Sequence, residues 1–263
     1  MNLNKIYNEN SLTGMKKIED DSVDLIVTDP PFAINFKGNK ANYNRDLDKV
    51  IDSYCEILPE DYPEFTTNWL TEAKRILKDS GSMFVFSGWN HLSTIENTLK
   101  LLDFKIINHI IWKYSFGLNC TKKFISSHYH IFYVCLNEKK RQFFPYCRFD
   151  KKAKTDKGRN ARYADMEDVW IVNRENWTGM QKTATKLPGE VVKKIIQYTS
   201  KSGDLIVDPF SGSGQVAWFS KELKRDFICF EIDKDTYDFS NRRLLENKYL
   251  LEIEKKSYNI KEA

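Results

Sequence analysis

A chain of 263 residues has the mass for one domain, or two, around a buried core. Hydrophobic residues make up 41% and charged residues 30%, a balance that excludes a disordered chain. No apolar run approaches the ~20 residues of a membrane span. The net charge is only +4, yet ten Lys or Arg against three acids make residues 138–162 +7 and the remainder −3. Such a block suits a surface that meets phosphates, or a solvated loop. Cys55, Cys120, Cys135, Cys147 and Cys229 include no CxxC pair, which excludes a zinc ribbon and a disulfide framework. They are expected to be reduced thiols, mostly buried. The first residues lack an apolar signal core, so an intracellular protein is expected.

In chain order, 24–28 is a short apolar run stopped by Asp29-Pro30-Pro31-Phe32, which predicts a buried strand ended by a proline pair. A polar, Asn-rich stretch follows over 35–45. Leu47, Val50, Ile51, Tyr54, Cys55 and Leu58 share one helical face. A second helix is predicted over 64–78, capped at Asp79-Ser80-Gly81. A strand at 83–86, a helix at 91–102 and strands at 104–113 and 129–136 come next. The basic block has little periodicity and reads as an irregular insert. Beyond it, Pro188 opens a helix at its favoured first position. A strand at 204–207, a helix at 215–223, a strand at 227–230 and a helix at 235–246 complete the pattern. Alternating strands and helices imply a mostly parallel sheet covered on both faces. There is no internal repeat.

Two constellations carry chemistry. The first is Asp208-Pro209-Phe210-Ser211-Gly212-Ser213-Gly214, between a strand and a helix. Its glycines let the backbone turn sharply and approach a ligand, and the helix beyond offers free N–H groups. Glu231, 17 residues past Gly214, ends the next strand, near the spacing of a ribose-binding carboxylate. The set points to a nucleoside-bearing cofactor; the plain alternative is an ordinary tight turn. A nicotinamide oxidoreductase would need a fuller glycine fingerprint.

The second constellation is Asp29-Pro30-Pro31-Phe32, at the strand edge where open α/β sheets bind ligands. Asp29 is an acceptor, Pro30 presents a carbonyl in a rigid frame, and Phe32 is a flat apolar surface. Together they suit a planar base bearing an exocyclic amine. Two acceptors on the amine hydrogens return electron density to nitrogen and favour attack. The plain alternative is a proline stop with a solvent-facing Asp.

Asp29-Pro30-Pro31-Phe32 resembles the catalytic DPP(Y/F) motif of DNA amino-methyltransferases, and Asp208 through Gly214 resembles their cofactor motif, DPFxGSG. The catalytic motif precedes the basic insert, which precedes the cofactor motif. That order resembles the β class of the family. Asn10-Ser11, Asp168-Val169-Trp170, Thr185-Lys186-Leu187-Pro188 and Phe230-Glu231-Ile232-Asp233 extend the likeness over most of the chain. Four departures stand out. Asn10 replaces the usual acid, Leu187 is inserted in the usual Lys-Pro, Gln215-Val216 replaces Thr-Thr, and Tyr129 stands where Glu is common.

The resemblance implies an α/β fold with a circularly permuted Rossmann-like methyltransferase sheet. Residues 1–136 would form the catalytic-motif half, 137–180 a small target-recognition insert and 181–263 the cofactor-motif half. S-adenosylmethionine would be held by Asn10, Ser11, Asp29, Lys186, Pro188, Asp208, Phe210, Ser211, Gly212, Ser213, Gly214, Glu231 and Ile232. Catalysis would fall to Asp29, Pro30, Pro31 and Phe32, with no metal. The substrate would be double-stranded DNA, with the methyl passing to the exocyclic N6 of a flipped-out adenine. Cytosine N4 is the rival acceptor, and a catalytically inactive DNA-binding relative is the other alternative. Residues 33–45 would form a flap over the flipped base. Lys139, Lys140, Arg141, Arg148, Lys151, Lys152, Lys154, Arg159 and Arg162 would meet phosphates. A restriction endonuclease acting on the same site and a homodimer are open as partners, in a prokaryotic or phage-like cytoplasm. His91 and His109 are read as structural, and no membrane contact is expected.

Overall fold

The computed structural model describes residues 1–33, 50–51, 57–115, 121–175, 182–183 and 186–250. Ten strands appear among them: β1 (Lys5–Tyr7), β2 (Val23–Thr28), β3 (Val50–Ile51), β4 (Leu77–Ser87), β5 (Lys105–Lys113), β6 (His128–Cys135), β7 (Val169–Ile171), β8 (Lys182–Thr183), β9 (Leu205–Asp208) and β10 (Asp226–Phe230). The helices are α1 (Ser11–Met15), α2 (Tyr62–Ile76), α3 (Leu92–Leu101), α4 (Ala161–Asp165), α5 (Gly189–Thr199), α6 (Gln215–Glu222) and α7 (Lys234–Glu246). Eight strands form one sheet in the order β1-β10-β9-β2-β4-β6-β5-β7. Pairing is parallel from β1 through β4 and again between β5 and β7; β6 runs antiparallel to both its neighbours. No helix among the described residues is long and apolar enough to cross a membrane.

Alternation along the central strands divides the core. Ile26, Met83, Val85, Val207 and Ile228 pack with α1, α2 and α3 through Met15, Trp69, Leu70 and Leu99. Leu25, Val27, Phe84, Phe86 and Ile206 pack with α5 and α6 through Val192, Ile195, Ile196, Val216 and Phe219. Apolar residues on both faces are what a sheet covered on both sides requires.

The topology creates a crevice. From β9 the chain crosses through α6 to β10, away from β2. From β2 it crosses through α2 to β4, away from β9. Adjacent parallel strands with departing connections form a switch point, where α/β sheets bind ligands beyond the strand carboxyl ends. The register sets Leu25 beside Ile206 and Ile26 beside Val207. The loops beginning at Asp29 and Asp208 therefore leave neighbouring strands at the same edge.

Several boundaries differ from the sequence expectation. The predicted cap at Asp79-Ser80-Gly81 lies inside a strand. Leu77 is already extended, and β4 runs from there to Ser87. Its pairing with β2 shifts between Val23 and Leu25, a bulge that Gly81 accommodates. A Cβ at Gly81 would meet the Leu77 side chain at 2.7 Å and the Asp24 carbonyl at 3.1 Å. Most of the helix predicted around Leu47 to Leu58 lies outside the described residues. Within it, Val50–Ile51 pairs with Lys182–Thr183 as a strand. The 33–45 flap, apart from Ala33, also lies outside. Pro188 is the N-cap of α5 rather than its first residue. The stretch 137–180 is not wholly irregular: it contains α4 and β7, and β7 joins the edge of the main sheet beside β5. Cys135 and Cys229 are buried free thiols and Cys147 is an exposed one; Cys55 and Cys120 lie outside the described residues.

Candidate active site

The two motif loops meet at the carboxyl edge of β2 and β9. Asp29 has a buried Oδ1 with no hydrogen-bond partner. Burial pushes its carboxyl up to about 7, against a lowering pull from the positive charge of Arg174. Asp208 is buried as well. Burial pushes it up to about 8; the Phe210 N–H donates to its Oδ1 at 3.0 Å and opposes this, while Asp29 and Glu231 add to the rise. Burial makes both acids bind protons more tightly than free ones, more than Arg174 offsets at Asp29. This acid-rich pocket suits a cationic ligand.

Glu231 follows the end of β10. Its Oε2 accepts from the Gly212 N–H and its Oε1 from the Asp233 N–H, each at 2.8 Å. Each oxygen keeps further acceptor capacity, as a diol partner requires. Asn8 and Glu9 tie the end of β1 to the Glu231 carbonyl, and Asn8 also donates to the Ile232 carbonyl. These bonds bring Asn10 and buried Ser11 alongside. Asn10 Oδ1 caps α1 by accepting from the Leu12 N–H at 2.9 Å. Ile232 is exposed.

The loop between β9 and α6 is shaped by glycine at two positions. Gly212 has φ +50°, and a Cβ there would meet nothing within 4 Å, so it faces open space. Gly214 has φ +75°, and a Cβ there would lie 2.9 Å from the Ser240 Cβ. The Ser211 hydroxyl is buried, against the Cys229 thiol. Phe210 turns its ring away, onto Phe65 and Trp69 of α2, with centroids 5.7 Å from each. It anchors the loop rather than facing the crevice.

On the other side, Phe32 packs on Tyr129 with centroids 5.5 Å apart and lies over Gly88, where a Cβ would be 3.6 Å from its ring. Ala33 takes a left-handed φ of +49°, rare for a non-glycine residue. Its carbonyl lies 3.1 Å from His91 Nε2, and the His91 ring packs at a tilt against Tyr62, with centroids 4.5 Å apart. His91 thus holds the turn that aims Phe32. Among the described residues no cluster could hold a metal ion.

Residues 23–242 match the N6/N4 DNA methylase family. The chain belongs to that family. It is a DNA methyltransferase, and S-adenosylmethionine is its methyl donor. It is 29% identical over 262 residues to the Type II methyltransferase M.HinfI of Haemophilus influenzae, covering 94% of this chain and 69% of that protein. Its fold matches that of a Thermus thermophilus protein, TTHA0409, solved as a DNA modification methylase complexed with S-adenosyl-L-methionine. The TM-score is 0.68 at 16% identity, over 94% of this chain and 96% of the other. The PvuII cytosine-N4-specific DNA methyltransferase matches with TM-score 0.68 at 13% identity, over 93% of each chain.

One predicted ligand side chain of the methyltransferase, Lys186, is engaged elsewhere. Lys186 bonds to Glu175 and, at 3.0 Å, to the Tyr249 hydroxyl; burial brings its amine down to about 7, with Glu175 opposing. Glu175 also accepts from the Gly189 N–H and the Tyr249 hydroxyl. Tyr249 receives Gln215, and Arg243 donates to Gln215 Oε1 and to the Ser213 carbonyl. Arg243 is 1% exposed, so this cation is a structural clamp on the cofactor loop. Gln215 in place of Thr was the visible sign of this network; Glu175, Arg243 and Tyr249 carried none.

The basic block is not one surface. β6 runs antiparallel, so it ends at the amino edge of the sheet, opposite Asp29. Lys139, Lys140 and Arg141 follow it there. Lys140 pairs with Asp79 at 2.7 Å, and Arg141 bonds the Tyr133 hydroxyl at 2.8 Å. Arg148 is half-buried between Asp165, Glu190 and Gln197, which corrects its reading as a free phosphate contact. Arg159 pairs with Glu167, and Arg162 lies over the Tyr146 ring at 4.8 Å. Lys139, Lys151, Lys152 and Lys154 are exposed and make no ion pair among the described residues. Lys151 lies 5.5 Å from the centre of the Tyr146 ring.

Proposed function

We propose that this methyltransferase transfers a methyl group from S-adenosylmethionine to the N6 amine of an adenine flipped out of double-stranded DNA. The observation that carries the reading is the buried, unpartnered Oδ1 of Asp29, in the turn that leads to Phe32. A buried acceptor without a partner is costly unless a ligand supplies the donor. An exocyclic amine does so, and the ring stacks on Phe32. Aspartate, rather than serine, at position 29 favours adenine over cytosine.

The bound cofactor supplies a methyl already activated by positive sulfur. Asp29 accepts one amine hydrogen, orients the nitrogen lone pair and opposes the positive charge that grows on nitrogen. With the donor bound, its methyl would pass to the amine nitrogen, S-adenosylhomocysteine would be the leaving group, and the methylated nitrogen would give up one proton to water. Glu231 takes the ribose hydroxyls, Asp208 and 211–214 line the methionine part, and Asn10 with Ser11 borders the adenine. Nucleoside analysis of DNA from cells expressing the chain tests the reading. N6-methyladenine is expected; N4-methylcytosine, or no modified base, would overturn it.

The proposal includes a recognition role for 137–180, a cytoplasmic location with the DNA, and a cognate restriction endonuclease reading the same site. Lys151, Lys152 and Lys154 are its proposed phosphate contacts. Each such contact adds about 0.9 to the magnitude of the negative slope of log affinity against log salt. Changing all three to Gln should lower that magnitude by about 2 to 3, equally for target and non-target DNA. An unchanged slope would make them a solvated loop.

A further inference from the structure

The aromatic cluster beyond Phe32 carries a cation. Strand β7 ends beside Lys113, at the same edge as β2, and Arg174 lies just past it. Its guanidinium carbon is 4.2 Å from the centre of the Tyr114 ring and 5.3 Å from that of Tyr129. Tyr129 in turn packs on Phe32. Trp112 braces both tyrosines, at 5.6 Å from Tyr114 and 5.5 Å from Tyr129. Two ring faces thus hold the guanidinium by cation–π attraction. No ion pair joins it to Asp29 among the described residues, and Asp29 Oδ1 keeps no partner.

That geometry separates charge from hydrogen bonding. A guanidinium bonded to Asp29 would occupy the oxygen that must receive the amine. A guanidinium held on aromatic faces leaves that oxygen open while its field still reaches the carboxylate. We propose that Arg174 is a positioning residue for methyl transfer: seated on Tyr114 and Tyr129, it favours the charged form of buried Asp29 while leaving the carboxylate open to the target amine. The proposal rests on the reading of Asp29 given above.

The groups facing Asp29 are few. Arg174 approaches from the end of β7 and favours its charge. Asp208 approaches from β9, and burial, with Asp29 adding to the rise, keeps its own proton on until a higher pH than that of Asp29. The Tyr129 phenol approaches from β6; burial raises it, so it stays neutral, while Arg174 opposes the rise through its charge and a hydrogen bond to the phenol. Tyr114 touches Arg174 and Tyr129. His91 reaches only the Ala33 carbonyl.

The test is the pH dependence of kcat/KM for DNA, at saturating S-adenosylmethionine, in the full chain. This profile reports the groups of the DNA-free enzyme. Arg174→Gln should move the acid limb upward by about one pH unit, since a nearby opposite charge lowers a carboxylate by that order or more. Above both limbs the variant should approach wild type. Arg174→Lys, which retains the charge, should shift the limb less. Tyr114→Leu removes one ring face and should also move the limb upward, and it serves if Arg174→Gln does not fold. A purely structural role would lower activity equally at every pH. Superimposable acid limbs in wild type and Arg174→Gln, or in wild type and Tyr114→Leu, would overturn the proposal. Parallel assay of Asp29→Ala separates the two ideas: activity there defeats the reading of Asp29, whereas inactivity with an unmoved Arg174→Gln limb defeats only this one.

Discussion

Asp29→Ala should lower kcat by at least about 10²–10³, the usual cost of removing one well-placed group at a reacting centre. Cofactor affinity and DNA binding should fall far less, since Glu231 and the loop 208–214 are untouched. The fold should not suffer. Asp29 is held near 7 in the folded chain against 3.8 for a free carboxyl, so the folded state binds this proton more tightly. Its contribution to stability therefore declines as pH rises from 3.8 toward about 7, and above that the variant should melt at or above the wild-type temperature. Activity runs the opposite way. The accepting form is the carboxylate, so wild-type kcat/KM should fall as pH drops below about 7. A stable variant with near-wild-type turnover would remove Asp29 from the reaction.

Gly214→Ala should be the most damaging change in the cofactor loop, and for two separable reasons. At φ +75° an alanine stays in a left-handed conformation that costs about 1–2 kcal/mol. Its methyl would also lie 2.9 Å from the Ser240 Cβ and 3.3 Å from Ile6 Cδ1, and such overpacking typically costs about 1–3 kcal/mol. Together these remove about 2–5 kcal/mol from a total that for most domains is about 5–15 kcal/mol. Chemical denaturation would measure the loss directly. Gly212→Ala is the control. Its φ of +50° carries the strain, but no atom stands within 4 Å. It should lose only about 1–2 kcal/mol of stability. Its methyl would protrude into the open space of the loop, so its main effect should be weaker binding of S-adenosylhomocysteine. Equal losses of stability in the two variants would show that crowding at Ser240 has no part.

The elements around these residues were legible to unequal degrees. Strands β2, β9 and β10 and helices α5, α6 and α7 were close to their expected bounds, because each joins a continuous apolar face to a clear stop. Leu77 to Gly81 misled, because a lone Ser-Gly after a helical run reads as a cap; contact with Asp24 across the sheet makes it a strand instead. Strand β1 could not be foreseen either: Lys5, Ile6 and Tyr7 are too few to show a period, and β10 supplies their hydrogen-bond partners.

The motif chemistry was legible in the residues alone. Asp29, Phe32, Gly212, Gly214 and Glu231 lie just past strand ends, where local spacing announces both the turn and the chemical group. What the sequence could not determine is which cations are free and which side chains share a pocket. The ten cations of 138–162 look alike as a string. In three dimensions Arg148 is enclosed by Asp165 and Glu190, Lys140 is paired with Asp79, and 139–141 lies at the edge away from Asp29. Likewise Arg174 reaches Tyr114 and Tyr129 only because β7 joins the sheet beside β5, and Arg243 reaches the Ser213 carbonyl only because α7 packs against the cofactor loop. Local sequence sets turns, periods and reactive groups, since these depend on neighbours in the chain. Burial, pairing and the field at a carboxylate depend on neighbours in space, and those the tertiary structure alone decided.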